Sequence, residues 1–335
     1  MSQCIIPKGY KSILTTYQTQ SAIGRLKRIF EDNLSMALNL HRVSAPLFVE
    51  PQTGLNDNLS GVERAVEFDI PETGHTAQIV HSLAKWKRQA LYQYGFTTGE
   101  GLYTDMNAIR REEIMDNTHS IYVDQWDWEI VITKEQRTQD FLKQTVKRIV
   151  EAIFTTSERL RWDFPNLPVL PKRDVTFITT QELEDAYPHL TPEERETAFT
   201  KEHKTVFVMK IGAKLKSGIP HGSRAPDYDD WSLNGDILLW HDVLGCAVEL
   251  SSMGIRVDET VLDSQLREAG CDYRRSLSFH KALLAGKLPL TMGGGIGQSR
   301  LCMLLMAKAH IGEVQVSVWD KQTLKACELA GIKLL

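Results

Sequence analysis

Short runs rich in Val, Ile, Phe and Trp follow one another through this chain with short gaps and no helical repeat between several of them. That succession limits the fold more than any other feature. The runs are Gln78–His81, Ser120–Val123, Glu129–Ile132, Val175–Ile178, Val206–Met209, Asp236–Trp240, Ala247–Leu250 and Val314–Trp319. Regular strand–helix–strand alternation would build a doubly wound parallel sheet, and it is absent. The pattern predicts an α+β fold, an antiparallel sheet flanked by helices.

Two amphipathic helices are predicted. Ser21–Leu40 sets Ile23, Leu26, Phe30, Leu34 and Leu38 on one stripe, and Thr138–Leu160 does the same with Leu142, Val146, Ile149 and Ile153. The segments Phe164–Lys172 and Thr191–Lys204 read as surface connections. No repeat, low-complexity linker or composition break marks a boundary, so residues 1–335 are expected to form a single catalytic domain. With 42% apolar and 24% charged residues, the chain is globular rather than disordered. A net charge of −4 argues against gripping nucleic acid through bulk charge. No stretch reaches the roughly 18 apolar residues that spanning a membrane requires. The five scattered cysteines form no C-x-x-C, and the histidines no H-E-x-x-H, so reduced thiols and a cytoplasmic location are expected.

The most specific local signal is Gly293-Gly294-Gly295-Ile296-Gly297-Gln298-Ser299-Arg300, followed by the apolar helical run Leu301–Ala309. It is neither a P-loop, lacking G-K-[ST], nor a dinucleotide fingerprint, lacking a glycine at Gln298. Such glycines suit a tight strand-to-helix turn, or a backbone that a ligand or another strand approaches closely. Arg300, a cation just inside a helix N-terminus, opposes the helix dipole and calls for an anionic or planar partner. A nucleotide offers both.

Upstream, strand alternation sets Glu249 and Ser251 on one face, and Arg256 returns after Gly254. Asp227-Tyr228-Asp229-Asp230 and Asp236 bring carboxylates into the same half of the chain. Clustered carboxylates beside a nucleotide suit Mg²⁺; the Asp227–Asp230 group also suits a solvated loop. In the first half, Asn56–Gly61 reads as a polar turn. Ser82 fits an N-cap before a helix whose basic residues Lys85, Lys87 and Arg88 suit solvent or phosphate equally. Asp124–Glu129 packs an amide, carboxylates and two tryptophans together, as core anchors or as the wall of a pocket.

Read in order, these segments resemble the ammonia-dependent asparagine synthetases, or aspartate–ammonia ligases. The resemblance rests on Asp57-Asn58-Leu59-Ser60-Gly61, His81–Arg88, Gly99–Thr104, Tyr122–Glu129, Asp227–Trp231, Glu249–Asp258 and Gly293–Leu301. It covers nearly the whole chain to Trp319. That family is similar in fold to the class II aminoacyl-tRNA synthetase catalytic core, with Ile109-Arg110-Arg111-Glu112 resembling its second motif and Gly293–Arg300 its third. One departure is Ala213, in a Gly-Ala-Lys run where a second glycine is expected.

The resemblance implies a homodimer that joins L-aspartate and ammonia with ATP and Mg²⁺, releasing AMP and pyrophosphate through a β-aspartyl-adenylate. Arg110 would neutralise charge on the α-phosphate. Arg300 would hold adenine or the outer phosphates, with Gly295 and Gly297 lying against the nucleotide. Glu249 and Asp236 would ligate the metal. Arg256 and Lys87 would meet substrate carboxylates, and Asp127 or Asp227 the ammonium, with Ser82 and Ser251 also at the substrate. Asp57 and Gln125 would stand by the β-carboxyl, Asp57 capturing ammonium.

A tRNA-charging relative, activating aspartate for another acceptor, is the main alternative. It would need an anticodon-binding module, for which motifs running from Asp57 to Leu301 leave no room, and a surface suited to a polyanion. A nucleotide-binding regulator without catalysis would keep the glycines and lose the acids and arginines, and both are intact. Cys4 stands behind Ser2 and Gln3, and no glutaminase domain is visible, so free ammonia is the expected nitrogen donor.

Overall fold

A capping box at Thr15 starts the first element: Gln18 N–H donates to Thr15 Oγ1 at 3.2 Å, and Thr15 N–H to Gln18 Oε1 at 3.0 Å. This computed structural model of the chain describes residues 4–57, 59 and 63–335. Asn58, Ser60 and Gly61 of the polar-loop motif, with Ser2 and Gln3, lie outside the described residues.

In chain order the first half runs α1 (Thr16–Leu38), β1 (Leu40–Arg42), β2 (Phe48–Val49), β3 (Glu67–Ile70), β4 (His75–Ile79), α2 (Ala84–Gln93), β5 (Gly101–Ile109), β6 (Tyr122–Val131) and α3 (Gln139–Asp163). Then follow β7 (Thr176–Thr179), α4 (Thr180–Ala186), α5 (Pro192–His203), β8 (Thr205–Met209), β9 (Asp229–His241) and β10 (Cys246–Arg256). The chain continues with α6 (Glu259–Glu268), α7 (Ser278–Leu284), β11 (Thr291–Gly297), α8 (Gln298–Leu305) and α9 (Lys321–Leu329).

Eight strands form one sheet in the order β1-β5-β6-β11-β10-β9-β8-β7, and β2-β4-β3 form a small second sheet. The inner pairs of the large sheet are antiparallel, as the strand spacing predicts, while its two outer pairs, β1·β5 and β7·β8, are parallel. Helices α1 and α3 cover one face. Their stripes, Leu26, Phe30 and Leu34 with Val146, Ile149 and Ile153, meet Trp126 and Trp128 of β6 in the main core. The opposite face of the central strands is left for polar side chains.

Several local expectations are corrected. Ser120–Val123 and Glu129–Ile132 are not separate strands: β6 runs unbroken through Trp126 and Trp128, and burial on both faces conceals its alternation. Gly101–Ile109, unpredicted, pairs along the whole of β6. Thr191–Lys204 is mostly the helix α5, capped by Thr191 and Glu194 with Pro192 in its first turn. Val314–Trp319 is no strand and follows a single 3₁₀ turn, Ile311–Glu313. The glycine cluster is itself a strand, β11, held between β6 and β10.

Candidate active site

The strand β11 has no side chains to speak of where its neighbour β6 is most polar. Gly293, Gly295 and Gly297 pair with Glu129, Asp127 and Gln125, which therefore share one face of the sheet. A Cβ at Gly293 would strike the Glu129 carboxylate, and one at Gly295 would strike the Gln125 amide. Close approach by polar side chains, rather than a turn, is what these two glycines permit.

Above this bare strand lies a cleft of about 370 Å³. It gathers Asp57, Gln125 and Asp127 with Arg110, Arg256 and Arg300. Ser82, Lys87, Glu249, Gly295 and Gly297 also line it. Asp57 is placed by Asn56, whose Oδ1 accepts from the N–H groups of Asp57 (2.9 Å) and His81 (2.8 Å) and so fastens the loop to the end of β4. Burial pushes the Asp57 carboxyl up, against the pull of Lys85. Arg110 follows β5; its nearest acid, Glu113, is 3.9 Å away and its buried Nε has no hydrogen-bond partner. Arg300 donates to the carbonyls of Glu249 (3.0 Å) and Thr118 (3.3 Å) and stands 4.0 Å from the Glu249 carboxylate. Those acceptors answer the charge that its place in the first turn of α8 creates.

Helix α2 contributes its basic residues inward, away from bulk solvent. Its N-cap is Leu83, not Ser82, whose hydroxyl accepts instead from Ala84 N–H at 3.1 Å. Lys87 is fully buried, pairs with Asp127, and donates to the Gly294 carbonyl at 2.9 Å. Burial pulls its ammonium down, offset by Asp127 and Glu129. Arg88 donates to the carbonyls of Pro289 and Val257, and burial lowers it to about 10. Arg256 is clamped: Nε and Nη2 donate to Glu129 at 2.7–3.1 Å, and Nη1 to Asp229. Arg224 stands 3.9 Å from Asp229 and binds Asp236, so around Asp127, Glu129, Asp229 and Asp236 there are four carboxylates for three close cations, Lys87, Arg256 and Arg224. Asp127 Oδ2 is buried without a hydrogen-bond partner.

Three residues expected at the site do not line the cleft. Asp227 is wholly buried behind it, where its Oδ2 accepts from Lys85 (3.1 Å), Arg274 (2.9 Å) and His280 (2.8 Å). Ser251 points into the core, because a bulge between Glu249 and Ser251 shifts the alternation and brings Ser252 to the cleft instead. Asp236, opposite Ser252 on β9, binds Arg224 at 2.5 Å, and its side chain keeps only 14% of its exposure. Glu129, Asp229 and Arg224 belong to the cluster and were not singled out from the sequence. Alternation along β6 from Gln125 and Asp127 would have pointed to Glu129. Nothing in the spacing indicates Arg224, which reaches Ser252, Asp236 and, at 3.9 Å, Asp229.

The profile of the aspartate-ammonia ligase family matches residues 17–331. The chain belongs to the aspartate–ammonia ligase family. An aspartate–ammonia ligase of Ruminiclostridium cellulolyticum is 58% identical over 100% of both chains, and one of Lactobacillus johnsonii 57% identical over 99% of each. Solved structures place the ligase fold more widely. Asparaginyl-tRNA synthetase of Entamoeba histolytica, in complex with asparaginyl-adenylate, superposes with a TM-score of 0.64 at 13% identity, over 90% of this chain and 66% of that one. Its counterpart from Pyrococcus horikoshii gives 0.61 at 16% identity, over 88% and 68%. At such identities the likeness is one of fold, that of the class II synthetase core.

Proposed function

We propose that this ligase makes L-asparagine from L-aspartate and ammonia at the cleft over β11, activating the β-carboxyl with ATP as a β-aspartyl-adenylate and releasing AMP and pyrophosphate. The observation that carries the reading at residue level is the charge balance around Asp127. Four carboxylates against three cations, with Asp127 Oδ2 unpartnered, form a seat short of one positive charge, which the α-ammonium of aspartate supplies. Asp227, tied to Lys85 and Arg274, is the weaker choice for that role.

Arg110 is the cleft arginine with the least protein company and meets the α-phosphate as the β-carboxylate oxygen attacks phosphorus and pyrophosphate departs. Arg300, braced by two carbonyls, holds the nucleotide beside Gly295 and Gly297. Arg256 has its donors taken by Glu129 and Asp229, so it lends charge to the substrate carboxylates rather than a free fork of hydrogen bonds. Gln125 stands over the β-carboxyl. Asp57 takes a proton from ammonium, a role that a carboxyl raised by burial performs better than an ordinary one. The freed ammonia attacks the acyl carbon, and AMP leaves as the new amide loses a proton.

Asp236 and Glu249 fit Mg²⁺. Burial, and then the neighbouring Glu249 charge, push the Asp236 carboxyl up despite Arg224, a crowding that a divalent cation relieves. Bound there, Mg²⁺ would screen the phosphates of ATP. Among the described residues no group of three or more His, Cys, Asp or Glu is placed to hold a metal, so Mg²⁺ here rests on the Asp236–Glu249 pair alone. Residues 1–335 act as one catalytic unit, and the family resemblance supports a cytoplasmic homodimer. Among the described residues no helix is long and apolar enough to cross a membrane.

Purified protein given ATP, Mg²⁺, aspartate and ammonium should form AMP and asparagine in equal amounts. Appearance of ADP in place of AMP, or dependence on added tRNA, defeats the reading.

A further inference from the structure

Cys4 and Cys327 stand at opposite ends of the sequence, yet their Sγ atoms lie 4.0 Å apart. They meet in a small apolar cluster, where Cys4, Tyr10 and Val243 pack on Cys327, Ala309 and Ile332. Cys327 is buried in α9, whereas Cys4 is partly exposed. A disulfide needs the sulfurs to close to about 2 Å, so each has only about an ångström to travel.

We propose that Cys4 and Cys327 form a thiol–disulfide site, which a low-molecular-weight disulfide of the glutathione type oxidises to an intramolecular bridge. Cys4, the accessible partner, loses its proton and its sulfur attacks one sulfur of the small disulfide. That S–S bond breaks and the first small thiol leaves. Cys327, deprotonated in turn, attacks the Cys4 sulfur, forms the protein S–S bond and expels the second small thiol. The protein gives up two electrons and two protons, and the small disulfide becomes two thiols. Burial raises both protein thiols, Cys327 to about 12, so only a small thiolate fraction is available to attack and the exchange is slow.

The bridge would brace the rim of the cleft. Ile5, next to Cys4, donates its N–H to Asn117 Oδ1 (2.6 Å), and Asn117 Nδ2 donates to the carbonyls of Ile5 (2.8 Å) and Ala309 (2.7 Å). The following residue, Thr118, lines the cleft and holds Arg300 by its carbonyl. Oxidation therefore anchors, through α9, the strap behind Arg300.

The full-length protein is incubated for hours with excess oxidised glutathione at about pH 8, where more thiolate forms than at neutral pH, then alkylated and mapped by mass spectrometry without reduction. A Cys4–Cys327 linked peptide is expected, with Tm raised by about 3–8 °C as a very long loop is closed. Cys4→Ser, at the more exposed position, abolishes both effects, and Cys327→Ala does the same. Cys246→Ser leaves them unchanged. Glutathione left on Cys4, thiols still free after the incubation, or links through Cys246 or Cys271 instead overturn the proposal. A linked peptide with unshifted Tm refutes the bracing.

Discussion

Two lysines of one short helix, Lys85 and Lys87, each meet a buried aspartate, and the two pairs have different fates. Lys85 joins Arg274 and His280 around a single oxygen of Asp227, which lies outside the cleft. Lys87 meets Asp127 in company with Glu129, and that pair lines the cleft. In the first group cations outnumber the acid; in the second, acids outnumber cations. Burial and residue type are the same, so the local charge sum separates an internal fastening from a seat for a charged ligand.

That distinction can be broken. The largest effect is expected from Asp227→Ala, which leaves Lys85 and Arg274 buried without their anion and should lower unfolding free energy by about 3–5 kcal/mol in urea titrations. An unaltered midpoint would remove the fastening role. Arg110→Ala should cut kcat/KM about 10²–10³-fold with the fold intact, because a charge partner of the developing phosphoryl anion is lost. A rate within twofold of the parent enzyme rejects that assignment.

Asp127→Asn should raise KM for aspartate about 10–100-fold while leaving KM for ATP within about threefold. Should Asp127→Asn unfold the protein and Asp227→Asn raise the KM for aspartate, the two groups have been assigned the wrong way round. Acid sharpens the comparison least. Burial alone would raise Asp227, but Lys85, His280 and Arg274 hold it well below the usual carboxylate range; its contribution is complete above about pH 4 and is lost as pH falls. Burial holds His280 below its ordinary value, so protonation favours the unfolded chain as pH drops below about 6.5. Asp227→Asn should flatten the lower of these two losses in Tm measured against pH.

The sequence predicts the α+β class and the helices α1 and α3 because amphipathic periodicity is local. It hides β6 because Trp126 and Trp128 bury one face while acids held by cations bury the other, so apolar and polar residues do not mark inside and outside. Ser251 rather than Ser252 is the natural choice from strict alternation, and only the bulge beside Glu249 reverses it. Asp227 and Asp229 sit in the same acidic run, and what tells them apart is distant. Arg274 and His280 claim the first, Arg256 the second. Arg224 carries no local signature at all. Family motifs recover most cleft residues, but the partners that decide each charge come from elsewhere in the chain.

The bare strand β11 makes the two walls of the site unequal in how they can change. Alanine at Gly293 would press on the Glu129 carboxylate and the Trp128 carbonyl, and at Gly295 on the Gln125 side chain. Positions 125 and 127 on β6 and 252 on β10 carry the side chains that flank Gly295 in this part of the floor. Altering the substrate accepted here is therefore a redesign of the strands on either side of β11 and not of β11 itself. A library would vary those three positions and leave residues 293 and 295 as glycine, and variants at these two glycines would report on folding rather than on substrate choice.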